Sequence, residues 1–533
     1  MERRAETLGR KKGMNKKEKA MPDQFSSTRA SSARASTRLQ KAPLTAALAT
    51  LLVVLAGCRG LGNSPAGGPT GGGASGLQQV NHIIILAQEN RGFEHYFGAL
   101  RQYWAANGYP DQSFDGLPQF NPSSGAAPLL GPAPTNPGCD PAFPAPANDC
   151  TIDSGSPMET SFQMVSMCEE NPSPSWNESH VDWNFANPLS ATPTLDGFVW
   201  TAAHDARSLN YFDVTGKRAM GYYDGTDLPY YYFMASNFAT SDRWFSPTMS
   251  RTQPNRMYLI AGTSAGFAYP PPPGSPPLPN QTIFDLLQAA GVTWKVYVTD
   301  LSMATPPAQD SALNFFAAAA KYPGNIVPVA DFQTDLKNGT LPSVAYIEPG
   351  YNSGLDEHPG VDDGIPGANV QTGSQYVSTL VNALMGSSSW KDSVFILTYD
   401  EFGGFYDHVP PQPAVSPDGI KPADLQPGPP PNGPDVCTTG TGPTCDFVYT
   451  GYRVPLIVIS PFAKKNYVSH TVADQTAWLK FVETRFGLPS LTARDAAQMD
   501  MTEFFDFQAP PWQTPPTPPA QPTTGPCYMN QLP

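Results

Sequence analysis

Five short apolar runs punctuate the chain: HIIILA at 82–87, WKVYV at 294–298, SVAYIE at 343–348, SVFILTY at 393–399 and VPLIVIS at 454–460. They lack the polar alternation of a half-exposed strand, so they read as strands of a parallel sheet buried on both faces. Between them, apolar residues recur every three or four positions. This helical period marks TIFDLLQAAG (282–291) and SQYVSTLVNALMGS (374–387), each ahead of a strand, and TVADQTAWLKFVETRFG (471–487) after the last one. The alternation predicts an α/β sandwich, with a mostly parallel central sheet and helices on both faces. Segments 103–160 and 410–446, rich in Pro, Gly, Asn and Asp, read as long loop insertions suited to walling a site.

Polar residues crowd just beyond the predicted strands. Gln88-Glu89-Asn90 follows the first, Glu348-Pro349 the third and Asp400-Glu401 the fourth. Open parallel sheets bind ligands beyond the carboxyl ends of their strands, so these groups, distant in sequence, are expected to converge.

Composition supports a loop-rich globular body. The 533 residues include 60 Pro and 46 Gly without a Gly-X-Y period, and only 15% are charged. Charge is unevenly placed: residues 1–57 carry 12 Lys+Arg against 4 Asp+Glu, and the rest 20 against 42. An acidic body of that kind is repelled by phosphate backbones, which argues against a nucleic-acid partner but not against a buried divalent cation.

The basic N-terminal stretch ends at Lys41 and is followed by the apolar LTAALATLLVVLAGC, of signal-peptide length and too short to span a bilayer securely. Leu55-Ala56-Gly57-Cys58 resembles a bacterial lipobox, which implies an exported lipoprotein of the bacterial cell envelope that meets the membrane only through a lipid on Cys58. Residues 1–57 are then a signal peptide, and the Gly/Pro/Ser-rich 58–79 a flexible tether. The folded domain spans 80–510, and 511–533 form a Pro-rich tail. Six further cysteines suit disulfides in an exported chain. Several connectivities are open. Nearness in sequence favours Cys139 with Cys150 and Cys437 with Cys445, which leaves Cys168 with Cys527.

Gly262-Thr263-Ser264-Ala265-Gly266 matches the G-x-S-x-G elbow of serine hydrolases. The elbow requires a helix directly after the serine, and the proline-dense FAYPPPPGSPPLP that follows cannot build one.

Other motifs carry a resemblance. Gln88-Glu89-Asn90-Arg91-Gly92-Phe93-Glu94-His95-Tyr96-Phe97-Gly98 resembles the ENRSFDHYFG signature of the bacterial phosphoesterase family that contains non-specific phospholipases C and an acid phosphatase. Thr252 to Tyr258, Glu357-His358-Pro359, the run from Thr398 through Asp400-Glu401 to His408-Val409-Pro410-Pro411, Val454 to Pro461, and Ser469-His470-Thr471 resemble its later segments in the family's order. The resemblance implies an alkaline-phosphatase-like fold over 80–510, Glu89, Asn90, Asp400, Glu401 and Thr252 around a divalent metal ion of unspecified identity, and Thr252 as nucleophile. It also implies His180 and His358 as handlers of phosphate or protons. Arg256, Asn255 and His408 are expected to meet the substrate, a phospholipid headgroup or a small phosphomonoester. Hard oxygen donors suit such a cation, which activates a hydroxyl and neutralises charge in an in-line displacement.

Each residue also has a plainer reading. Glu89-Asn90 would serve as a helix cap, Asp400-Glu401 as a solvated turn, Arg91 as a packing partner of aromatic rings, and His408 and His470 as loop braces. Pro254 restricts Gln253 to extended backbone, which predicts a turn presenting Thr252. Phe402, the Ser173-Pro174 pair and Gln475 stand where relatives often carry His, which leaves fewer metal ligands. Three functions follow: a phospholipase C-like diesterase, favoured; an acid phosphatase-like monoesterase; and an inactive lipid-anchored binding protein.

Overall fold

Strand β1, His82–Gln88, is apolar from Ile83 to Ala87, and none of those side chains reaches solvent. Such a strand must lie in the middle of a sheet, and in the computed structural model it does. The structure describes residues 76–123, 125–139, 152, 155–301, 311–360, 368–428 and 434–532. The segment expected to be a signal peptide, Cys58, the expected tether up to residue 75, and Cys150 lie outside these.

The sheet has eight strands. After β1 come β2 Ala239–Ser241, β3 Trp294–Val298, β4 Ile326–Pro328, β5 Val344–Glu348, β6 Ser393–Tyr399, β7 Leu456–Ile459 and β8 Tyr467–Ser469. They lie side by side in the order β8-β2-β7-β6-β1-β5-β3-β4. All pairs are parallel except those of β7, which runs antiparallel to both neighbours. The expected sheet is present, with one correction: VPLIVIS is its reversed strand. A fully apolar run carries no information on direction.

Helices cover both faces. Trp294 and Tyr297 are an odd number of residues apart on β3 and so point to opposite sides. Trp294 packs on Phe284 of helix Ile283–Ala289, whereas Tyr297 packs on Phe332 of helix Ala330–Asn338. Tyr346 of β5 is in register with Val296, shares the face of Trp294, and meets both Phe284 and Trp478. The first of these helices starts on a capping box of Thr282 and Asp285. The helix expected over 471–487 begins only at Ala477, because Ala473–Asp474 pair as a short strand with Trp244–Phe245.

Among the described residues, no helix is long and apolar enough to cross a membrane. Cys168–Cys527 and Cys437–Cys445 are bonded as expected. Cys139 is also disulfide-bonded. The tail has no regular elements up to residue 532, but it is tied down by the Cys168–Cys527 bond and by Gly525 N donating to Gln371 Oε1 at 2.9 Å.

Candidate active site

The register of the sheet builds the site. Gln88 pairs with Tyr399, the last residues of β1 and β6, so Glu89-Asn90 and Asp400-Glu401 leave the sheet side by side. Asn90 N donates to Asp400 Oδ1 at 2.9 Å, and Glu401 N donates to the same oxygen at 2.8 Å. Asn90 holds φ +54, a left-handed turn that asparagine tolerates. Neither Glu89 nor Asn90 caps a helix, since the next one, Phe93–Phe97, starts after Gly92 with no side-chain cap.

Thr252 is the first residue of helix α1, Thr252–Ala261. Its hydroxyl donates toward Glu89 Oε2 at 3.0 Å and Asn90 Oδ1 at 3.1 Å. The expected turn at Gln253-Pro254 is instead the opening of this helix. Pro254 falls in the first turn, where a missing N–H breaks no helical bond, so it starts the helix rather than forbidding it. Thr252 therefore occupies the positive end of the helix dipole, which favours an anion.

The carboxylates are short of partners. Asp400 Oδ2 and Glu401 Oε1 are buried without a hydrogen bond. Burial, then the Glu89 charge, pushes Asp400 up to about 7, and burial, then Asp400, raises Glu401 well above the usual carboxylate range. Arg256 is the cation nearest at hand: its Nη2 lies 2.6 Å from Glu89 Oε1 and its Nε 3.6 Å from Asp400 Oδ2. One guanidinium against Glu89, Asp400 and Glu401 leaves two negative charges uncompensated when all three are ionised. Orphaned oxygens, an all-oxygen donor set and that deficit fit a divalent cation.

The remaining expected residues are placed differently. Asn255 is fully buried and spends its amide on the preceding loop, accepting from Thr248 N at 2.9 Å and donating to Ser250 O at 2.7 Å and Arg251 O at 3.1 Å. Arg256 is buried against Glu89. Both side chains are engaged within the protein, Asn255 with the loop before Thr252 and Arg256 with Glu89. His408 bonds Glu94 and, at 3.1 Å, Asp115. Burial opposes its charge, but Glu94 and Asp115 outweigh it and raise His408 to about 10. Glu94, Asp407 and His408 lie close enough to hold an ion, yet Arg453 already binds Asp407 at 2.6 Å and Glu94 at 3.1 Å. His180 is buried in helix Trp176–Trp183, with its ring nitrogens toward the carbonyls of Trp176 and Thr444. Burial lowers it to about 4. His470 pairs with Asp242.

His358 is half-buried, and burial lowers it to about 4. Its Nδ1 lies 2.5 Å from Pro359 O, so Nδ1 carries the proton and Nε2 the lone pair. The preceding Glu357 is a hub that sequence reasoning missed. Its carboxylate accepts from Gln88 at 3.1 Å, Tyr231 at 2.5 Å, and Tyr96 and Tyr399 each at 2.7 Å, and its carbonyl accepts from Arg91 at 2.7 Å. These bonds hold a left-handed φ of +70, strained for a glutamate, and fix the loop that carries His358. The three tyrosines lie 261, 126 and 42 residues away, so no local spacing announces the hub. Arg91 is likewise consumed, by Glu169 beside the Cys168–Cys527 bond.

The serine of the elbow-like motif is excluded as expected. Gly262 is the left-handed cap of α1, Ser264 is buried, and no helix follows until Ile283.

A family model described as the Phosphoesterase family matches residues 80–489. Phospholipase C B of Mycobacterium tuberculosis is 31% identical over 466 residues, covering 82% of this chain and 79% of that protein. Non-specific phospholipase C4 of Arabidopsis thaliana is 29% identical over 406 residues, covering 75% and 65% respectively. A solved protein in the alkaline phosphatase superfamily from Vibrio parahaemolyticus is similar at a TM-score of 0.29, with 15% identity over 51% of this chain and 64% of that one.

Proposed function

Because the chain belongs to the phosphoesterase family and is thus a hydrolase acting on phosphate esters, we propose that it cleaves them through Thr252 with the help of a divalent cation, and that phosphodiesters of the phospholipase C kind are its preferred class. The observation that carries the reading is the Thr252 hydroxyl 3.0 Å from Glu89, beside carboxylate oxygens that lack partners.

Glu89, Asn90, Asp400, Glu401 and Thr252 would hold the cation. When bound it would acidify the Thr252 hydroxyl and offset charge on the phosphate. Thr252 Oγ1 attacks phosphorus in line with the departing oxygen, forming a phosphothreonine as the bond to the leaving alcohol breaks. The Thr252 proton points toward Glu89 Oε2, and neutral His358, a base before it can be an acid, receives it on Nε2 and returns it to the leaving oxygen. Water then hydrolyses the phosphothreonine, releasing phosphate or a phosphorylated headgroup. His180, closed in by carbonyls, has no part in these steps.

The diesterase reading over the monoesterase one rests on the names of the relatives, both phospholipases C. We further propose export and lipid anchoring at Cys58. The test is a panel of p-nitrophenyl phosphate, p-nitrophenyl phosphorylcholine and phosphatidylcholine, assayed before and after chelation. The reading expects hydrolysis lost on chelation and restored by a divalent ion, with the diesters preferred. Full activity in metal-free protein refutes the cation, a strong monoester preference refutes the diesterase reading, and no turnover with intact binding favours the inactive binding protein.

A further inference from the structure

Glu348 is the last residue of β5, fully buried and level with Ala87 of the neighbouring β1. Its link to the site runs through Arg256. Oε1 of Glu348 accepts from Ser311 Oγ at 2.9 Å and from Ala312 N at 2.7 Å, and Oε2 accepts from Tyr351 Oη at 2.7 Å. Arg256 Nη1, buried without a hydrogen bond, lies 3.8 Å from that second oxygen, and the Tyr351 ring centre is 5.2 Å from the guanidinium carbon. Burial favours the neutral form of Glu348, and Arg256 leads the groups that oppose it.

Arg256 therefore stands between Glu348 and the carboxylates beside Thr252. On their side its Nε and Nη2 both take Glu89 Oε1, at 2.9 and 2.6 Å, which leaves Glu89 Oε2 to Thr252. Nη2 is tethered further to the carbonyls of Ala87 and Gln88, at 2.9 and 3.3 Å. Nε is 3.6 Å from Asp400 Oδ2, a buried oxygen with no hydrogen bond of its own. An arginine fork favours two carboxylate oxygens at once. Without an anion on its far side the guanidinium would close on Asp400 Oδ2 and compete with a cation for it. We infer that Glu348 is a positioning residue: it draws the far side of Arg256 toward β5 and so keeps oxygens of Asp400 and Glu89 open to a divalent cation.

This inference rests on the reading of Glu89 and Asp400 as cation ligands. The test measures manganese and calcium affinity by calorimetry in wild type, Glu348→Gln and Glu348→Asp. It adds the melting temperature of each metal-free protein, and kcat and KM on p-nitrophenyl phosphorylcholine over a range of ion concentrations. Glu348→Gln, almost unchanged in size, should weaken ion binding about tenfold or more. Its kcat should fall at limiting ion and return toward the wild-type value at saturation, with KM for the ester little changed. Glu348→Asp keeps the charge at shorter reach and should lie between the two. A purely structural role would instead lower the melting temperature and give a loss of activity that added ion does not reverse. Wild-type ion affinity in Glu348→Gln would overturn the inference, as would equal losses in the two variants. If Glu348→Gln does not fold, wild-type affinity in Glu348→Asp overturns it. A wild-type protein that binds neither ion would overturn the underlying reading with it.

Discussion

Asn90 and Asp400 are joined across the ends of two neighbouring strands, with the Asn90 amide donating to Asp400 Oδ1 at 2.9 Å. The bond closes the gap between β1 and β6 and brings Glu89 and Glu401 into one small space. It leaves Asp400 Oδ2 buried without a hydrogen bond, with only the Arg256 guanidinium 3.6 Å away. Several consequences of that arrangement can be measured.

Burial and the Glu89 charge hold Asp400 at about 7, well above the ordinary value near 4. A carboxyl raised in this way favours the folded state when protonated, so its contribution is fully present below about pH 4 and is lost as pH rises through about 7. A cation must displace that proton. Divalent-ion affinity, measured by calorimetry, should therefore tighten as pH rises from 5 through 7, and Asp400→Asn should shrink the dependence to the part that Glu401 carries. A pH-independent affinity in the wild type would contradict this.

Asn255 acts through Thr252 by pinning residues 248 to 251. Asn255→Ala removes those bonds and strands buried backbone groups, at a cost of about 1–3 kcal/mol. The slackened loop should lower kcat about tenfold or more with KM much less affected, since misplacement of a reacting group falls on the chemical step. Thermal melting together with steady-state kinetics checks both. An unchanged kcat would show that the clamp does not position the nucleophile.

His408 is ion-paired with Glu94 and Asp115, as a loop brace would be. Its pairing with Glu94 and Asp115 raises it to about 10 from an ordinary value near 6.5. The stability it contributes is fully present below pH 6.5 and is lost as pH rises through about 10. His408→Gln should destabilise the protein by roughly 3 kcal/mol at pH 6 in urea unfolding, because it leaves Glu94 buried with less counter-charge. The gap should narrow by pH 10. A large rise in KM with unchanged stability would restore His408 to the substrate.

The apolar runs located β1, β3, β5 and β6 almost to the residue because strands buried on both faces must be apolar throughout. β2, β4 and β8 are three residues each, too short for any periodicity to register. At the site, the ordered motifs placed Thr252, Glu89, Asn90, Asp400 and Glu401 together. They did not reveal that Asn255 and Arg256 face inward, because a motif marks which residues matter and not which way they point. The Glu357 hub depends on side chains converging from segments far apart in sequence, which only the folded chain displays.

The central claim is that Thr252 carries the phosphoryl group. Ser250 is tied to the carbonyl of Ala268 and Ser264 is buried, so neither competes on geometry. Rapid acid quenching during turnover of a phosphate ester, followed by peptide mapping, tests the claim most directly. The account predicts phosphate on the peptide containing Thr252, absent from Thr252→Ala, whose kcat collapses with KM little changed. Phosphate located on Ser250 or Ser264, or wild-type turnover by Thr252→Ala, would contradict it.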